Sequence, residues 1–169
     1  MMDKLEGKVA AITGGGSGIG RALAEHLAPL GCHVALIDIN QERLDEVAGC
    51  CARDGLTVTT HVADVSDRDR VKVLADEVVK AHGGVQILVN SAGVTAWGRF
   101  EEMSFDDFDW VLDVNLKGVI NGCKFFAVSD KQGNFQPACF PVMKRNRLQT
   151  LGHDPSCHAW CFVLTRGVV

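Results

Sequence analysis

Tyrosine is absent from this sequence, so no phenolic hydroxyl is available for acid–base chemistry. No run of 18 apolar residues occurs, which argues against a membrane span. The opening Met1-Met2-Asp3-Lys4-Leu5-Glu6 lacks a cationic flank leading into an apolar stretch. A secretory leader is therefore not expected, and the cytoplasm is the expected compartment. Positive charge is not in excess: the formal net charge is −4, which argues against nucleic acid as a partner. The seven cysteines are an odd number, and Cys50 and Cys51 are adjacent, so reduced thiols are expected in place of a disulfide framework. What remains is an ordinary globular composition, 47% hydrophobic and 22% charged over 169 residues, enough to bury one core.

Up to residue 126 the chain alternates strand-length apolar runs with segments of helical period. Strands are expected at 8–13, 33–37, 56–62 and 85–89, and helices at 18–30, 41–54 and from Ser66 or Asp67 to about His82. Ser104-Phe105-Asp106-Asp107 has the pattern of a capping box and opens a long helix to about Phe126. Such alternation with short connections predicts an α/β fold: a doubly wound parallel sheet of strand order 3-2-1-4 with helices on both faces. The nearly continuous apolar strands agree with a sheet covered on both sides.

Beyond residue 126 the character changes. Residues 1–126 hold 12 Lys and Arg against 19 Asp and Glu, whereas residues 127–169 hold 5 against 2. The chain is accordingly divided into a dinucleotide-binding domain, 1–126, and an irregular C-terminal tail, 127–169, with one short strand expected at 159–164. His153, Cys157, His158 and Cys161 cluster in that tail. Their spacing matches no strong zinc signature, so an accidental cluster is the better reading and no metal is expected.

Chemistry enters at Thr13-Gly14-Gly15-Gly16-Ser17-Gly18-Ile19-Gly20, between the first strand and the first helix. Missing side chains at Gly14, Gly18 and Gly20 permit a tight turn and close approach of backbone to a pyrophosphate, with the helix N-terminus favouring the anion. Asp38 closes the second strand, where a carboxylate can accept hydrogen bonds from both hydroxyls of an adenosine ribose. It would repel a 2′-phosphate, and neither Ile39 nor Asn40 supplies a cation, so NAD is expected in preference to NADP.

Over these 126 residues the chain resembles the classical short-chain dehydrogenases and reductases. Thr13 to Gly20, with Ser17 and Ile19 inside it, matches that family's cofactor turn. Asp64-Val65 matches the pair after the third strand that meets the adenine. Asn90-Ser91-Ala92-Gly93 resembles the N-N-A-G segment after the fourth strand, with Ser91 in place of its second asparagine, and Asn115 matches the asparagine that helps hold a proton-relay water. The resemblance implies a Rossmann-like fold, a nicotinamide cofactor, an alcohol or carbonyl as small-molecule substrate, and a homo-oligomer through the long helix 104–126. Taken singly, Asp64 could instead cap a turn, Asn90 could tie strands together, and Asn115 could face solvent.

The resemblance also marks what this chain lacks. It implies a catalytic tyrosine in a Y-x-x-x-K motif, whose pKa a nearby lysine lowers, and an upstream serine that holds the substrate oxygen. Without a tyrosine, Asn115 is a catalytic remnant only. Ser129, Ser156, Lys131, Lys144, Cys139 and His158 offer no replacement in a matching segment. The 43 residues after the long helix are too few for the remaining strands and helices that the resemblance implies, so the sheet is expected to be truncated. The apolar residues Trp110, Val111, Leu116, Val119 and Phe125 of the long helix would then need another partner. Two readings stay open: an impaired NAD-dependent oxidoreductase, and a non-catalytic NAD-binding module or relic.

Overall fold

The computed structural model describes residues 5–129. The short strand expected in the tail and the His153 to Cys161 cluster lie outside the described residues. Strands β1 (Val9–Thr13), β2 (His33–Asp38), β3 (Val58–Val62) and β4 (Ile87–Asn90) alternate with helices α1 (Gly18–Leu27), α2 (Gln41–Cys51) and α3 (Arg68–His82). After β4 come α4 (Phe105–Leu112) and α5 (Gly118–Ser129). The sheet is parallel with order β3-β2-β1-β4, the order read from the alternation.

Side-chain alternation along the two central strands builds both layers of core. Val9 and Ala11 of β1, with Ala35 and Ile37 of β2, face Leu74, Val78 and Phe126 on α3 and α5. Ala10 and Ile12, with Val34 and Leu36, face Ala24, Leu44 and Val47 on α1 and α2. All five β1 residues are buried, whereas β3, at the sheet edge, is only half-buried along most of its length.

Helix ends follow local chemistry. The Asn40 side chain accepts Arg43 N–H at 2.9 Å to start α2, and Asp67 accepts Arg70 N–H at 3.0 Å to start α3. Of the two residues expected at that cap, Asp67 does the capping. At α4 the capping box forms: Ser104 Oγ accepts Asp107 N–H at 3.1 Å, and Asp107 Oδ2 accepts Ser104 N–H at 3.0 Å. The Ser104 hydroxyl and then its N–H hold the Asp107 carboxyl below its ordinary pKa. α3 stops at Gly83, whose φ of 81° is left-handed backbone that side chains disfavour.

Several boundaries depart from the sequence reading: the second helix ends at Cys51, short of residue 54, and the third strand starts at Val58, not 56. The fourth strand starts at Ile87; one residue earlier Gln86 meets Val9 twice, its N–H donating to Val9 C=O at 3.0 Å and its side-chain oxygen accepting Val9 N–H at 2.8 Å. The expected first helix ends at Leu27, and Ala28–Leu30 form a single 3-10 turn containing Pro29. The expected long helix is not continuous: residues Asp113–Lys117 form a π-helical turn between α4 and α5, and α5 runs past residue 126 to Ser129. No helix among the described residues is long and apolar enough to cross a membrane.

Candidate functional site

The turn leaving β1 is folded tightly against its neighbours. Gly14 has φ of 65°, and a Cβ there would lie 2.8 Å from the backbone N and Cα of Ala92. A Cβ on Gly20 would overlap the carbonyl oxygen of Gly14. Gly15 N–H donates to Ile37 C=O at 3.0 Å, tying the turn to β2. Thr13 Oγ1 ties it to β4: the hydroxyl accepts Ser91 N–H at 3.1 Å and Ala92 N–H at 3.2 Å. The N–H groups of Gly18, Ile19 and Gly20 open α1, ahead of the Arg21 N–H to Ser17 C=O bond, so they lack partners within the helix. That end of the helix suits an anion.

Asp38 reaches back to the turn. Its Oδ2 accepts Gly16 N–H at 3.1 Å and its Oδ1 accepts Asn40 N–H at 3.1 Å. Each oxygen keeps a further lone pair for a hydroxyl. Ile39 beside it is 72% exposed, an apolar surface at the mouth of the site. Arg43, from the first turn of α2, also lines this corner and was not singled out by the sequence reading. Only its i+5 spacing from Asp38 could have pointed to it, because the chain turns back between the two.

Past β3, Asp64 Oδ1 accepts both Ser66 N–H at 2.8 Å and Ser66 Oγ–H at 2.7 Å, the turn-capping alternative raised for this residue. Val65 is pressed against α5: the buried Asn121 Nδ2 donates to Val65 C=O at 2.9 Å, and a Cβ on Gly118 would lie 2.6 Å from Val65 Cγ2. Asn121 was missed at the sequence level. A buried asparagine three residues after a helical glycine is its only signal.

Asn90 ends β4, buried, with its Nδ2 3.5 Å from Cys123 Sγ on α5. Asn115 projects from the π-helical turn to the loop after β4. Its Oδ1 accepts Val94 N–H at 2.8 Å and its Nδ2 donates to Val94 C=O at 2.9 Å. Asn115 is therefore not simply a solvent-facing residue.

These elements enclose a cleft of about 210 Å³ at the C-terminal ends of the strands. Of the sequence-selected residues it brings together Gly14, Ser17, Asp38, Asp64, Val65, Ala92 and Gly93. Gly18, Ile19 and Gly20 stand behind it in α1, Asn90 behind it in β4, and Asn115 reaches it only through Val94. Trp110 and Val114 complete the wall opposite Asp38, so part of the apolar surface expected on the long helix faces this cleft. Val111, Val119 and Phe125 are half-buried, while Leu112, Leu116 and Ile120 are exposed.

A wider hollow of about 380 Å³ lies between the start of α3 and the π-helical turn, lined by Asp67, Arg68, Asp113 and Lys117 among others. It is polar, contains the Lys117–Asp113 ion pair, and holds none of the sequence-selected residues. The smaller cleft is the one at the crevice between β1 and β4, where the strand order reverses and α/β sheets bind ligands.

Known proteins share this fold. The sequence profile of the short chain dehydrogenase family matches residues 8–134. The 3-oxoacyl-(acyl-carrier-protein) reductase FabG of Thermotoga maritima is 42% identical over 120 residues, covering 70% of this chain and 48% of that protein. A short chain dehydrogenase/reductase from Burkholderia phymatum, solved in complex with NAD, is 42% identical with a TM-score of 0.71, covering 75% of this chain and 45% of that one. An alcohol dehydrogenase from the archaeon Thermococcus sibiricus, solved with 5-hydroxy-NADP, is 34% identical with a TM-score of 0.73, covering 78% of this chain and 57% of that one. The chain spans about half the length, or less, of the curated relatives it matches.

Proposed function

The chain belongs to the short-chain dehydrogenase family, a family of oxidoreductases, and we propose that its cleft holds a nicotinamide dinucleotide, NAD in preference to NADP. The observation that carries this reading is the convergence of the glycine turn, Asp38 and the Asp64-Val65 turn on one cleft at the strand-order switch. The donor set fits the group. Gly18 to Gly20 would hold the pyrophosphate, Asp38 the ribose hydroxyls, and Ile39 with Val65 the adenine faces. When bound, the nicotinamide supplies hydride exchange with an alcohol or carbonyl; the Ala92-Gly93-Val94 segment, fixed by Thr13 and Asn115, would set the floor beneath it. Relatives solved with NAD and with an NADP analogue support a dinucleotide of this kind. The choice between them rests on the Asp38 carboxylate.

We read this chain as a dinucleotide-binding unit with little turnover of its own, because it carries no tyrosine to exchange the substrate proton. On this reading the 1–126 unit is the binding domain, and Asn115 acts by holding the Val94 loop. Exposed Leu112, Leu116 and Ile120 support contact of this helical face with a second copy. Titrating the purified chain with NADH and with NADPH, by quenching of tryptophan fluorescence, tests the proposal. Binding of neither would overturn it.

A further inference from the structure

Away from the cleft, three histidines meet at the outer edge of the sheet. His33 opens β2, His61 lies on β3, and His82 is the last residue of α3. Thr59 joins them: its Oγ1 is 2.8 Å from His82 Nε2 and 2.9 Å from His61 Nε2. His61 Nδ1 lies 3.3 Å from Glu77 Oε2, and the Arg70 guanidinium grips both oxygens of Glu77 at 2.9 and 3.1 Å. The His33 ring stands 6.4 Å from that of His82, and its Nδ1 accepts Thr57 N–H at 2.9 Å.

The partners fix where the protons sit. Glu77 is an acceptor, so His61 carries its proton on Nδ1 and presents a bare Nε2 to Thr59. The single hydroxyl proton of Thr59 must then go to His61, and His82 Nε2–H donates to Thr59 oxygen. His82 Nδ1 is buried with no hydrogen-bond partner among the described residues, which suits a bare nitrogen and not an N–H. Thr57 N–H likewise needs His33 Nδ1 bare. His82 is therefore satisfied only when neutral. A proton added to His82 is buried without an acceptor, and one added to His61 turns the Thr59 hydroxyl away from that ring, because Nε2–H must then donate to the Thr59 oxygen.

We propose that this histidine cluster is an acid-labile latch that holds the edge strand β3 against α3 and releases it as His61 and His82 take up protons. Among the described residues β3 pairs with β2 alone, so no second strand among them retains it. It runs directly into Ala63, Asp64 and Val65 of the cleft wall, so its release would loosen that wall. The charged groups facing the cluster are Glu77 and Arg70, both on α3; β2 and β3 contribute only the rings themselves. Burial pushes His61 down, against the opposing pull of Glu77, and burial with the neighbouring rings pushes His82 down. The C-terminal end of α3 favours a cation at His82, but the buried surroundings outweigh it. The sign follows: the open strand binds more protons, so the latch is complete above the ordinary histidine value of 6.5 and is lost as pH falls through the lowered native values.

The test is backbone hydrogen exchange of the full chain without nucleotide, so that its failure and failure of the cofactor reading remain distinct. From about pH 7.5 to about pH 5.5, corrected for intrinsic rates, the β3 amides should lose protection by about tenfold or more, while β1 and β4 amides keep theirs. The triple variant H33N/H61Q/H82Q, which keeps hydrogen-bonding groups but cannot titrate, should show no such loss. β3 protection that tracks β1, or an unchanged acid loss in the triple variant, would overturn the proposal. Nitrogen-detected ring titration of the unmodified chain decides the matter even if that variant fails to fold. Native values below 6.5 with Nδ1–H on His61 and Nε2–H on His82 support the latch; values at or above 6.5 overturn it.

Discussion

Asn115 and Val94 pair as two strand residues would: the amide of Asn115 both accepts from and donates to the backbone of Val94, at 2.8 and 2.9 Å. A side chain thereby completes the backbone bonding of a loop that has no ladder partner. The amide can do this because the π-helical turn delivers it to the loop edge. Such turns occur often at functional sites.

Replacing Asn115 by Leu should strand both backbone groups of Val94. Two half-buried hydrogen bonds are lost, and the destabilisation is expected at about 1–3 kcal/mol. Urea unfolding followed by far-ultraviolet dichroism measures it. An unchanged midpoint would contradict the clamp.

Three glycine-to-alanine changes should rank by the space each new Cβ would meet. Gly20→Ala forces a Cβ into the Gly14 carbonyl and should abolish nucleotide binding and unfold part of the turn. Gly16→Ala meets the Arg43 and Asp38 side chains at 3.0 Å, which can yield, so its effect should be smaller. Gly49, inside α2, has no neighbour within 4 Å of a Cβ. Its replacement by alanine should stabilise the chain by about 0.4–1 kcal/mol. Thermal melts of the three variants side by side give the order.

Asp38→Ala should weaken NADH far more than NADPH. Each ribose hydrogen bond to a carboxylate contributes about 1.5–3 kcal/mol, and only NADH gains from it. Arg43 remains in the variant's cleft to meet a 2′-phosphate, so the preference should shrink or reverse. Fluorescence titration with both cofactors reads this. Wild-type affinity for NADPH equal to that for NADH would remove the basis for the expected preference.

Turnover should be absent or slight even where NADH binds. General acid–base catalysis supplies about 10²–10⁴-fold, and an amide such as Asn115 cannot replace it near neutral pH. A broad panel of alcohols and ketones, followed at the nicotinamide absorbance, is the measurement. Steady oxidation of NADH by homogeneous chain with any carbonyl would refute the expectation.

Most of the sheet could be read in advance, because buried parallel strands are continuous apolar runs and their connections leave few topologies. Asn40, Asp67 and Ser104 announce helix starts through their own hydrogen bonds, which is local chemistry. The Gln86 side chain taking Val9 N–H was not legible, since it joins residues far apart in sequence and looks like any exposed glutamine. The π-helical turn was hidden for a different reason: a fifth-neighbour hydrogen bond changes no composition and scarcely disturbs the apolar period. Asp38 was legible as a strand-end carboxylate, but Arg43 beside it was not, because only the folded turn between them sets them at one corner. Asn121 was not legible, because nothing local to it shows that Val65 packs beneath it.

The π-helical turn also sets a phase. One additional residue per turn advances the screw by about 100° between α4 and α5. Because Phe126 is locked in the core on one side of that offset, α4 inherits its azimuth from it, and so Trp110 stands over the cleft. Deleting one residue from 113–117 would leave helix content almost unchanged while turning α4 like a key. The indole would swing off the nucleotide wall and Asn115 off Val94, so the cleft would lose one side without the fold losing a helix.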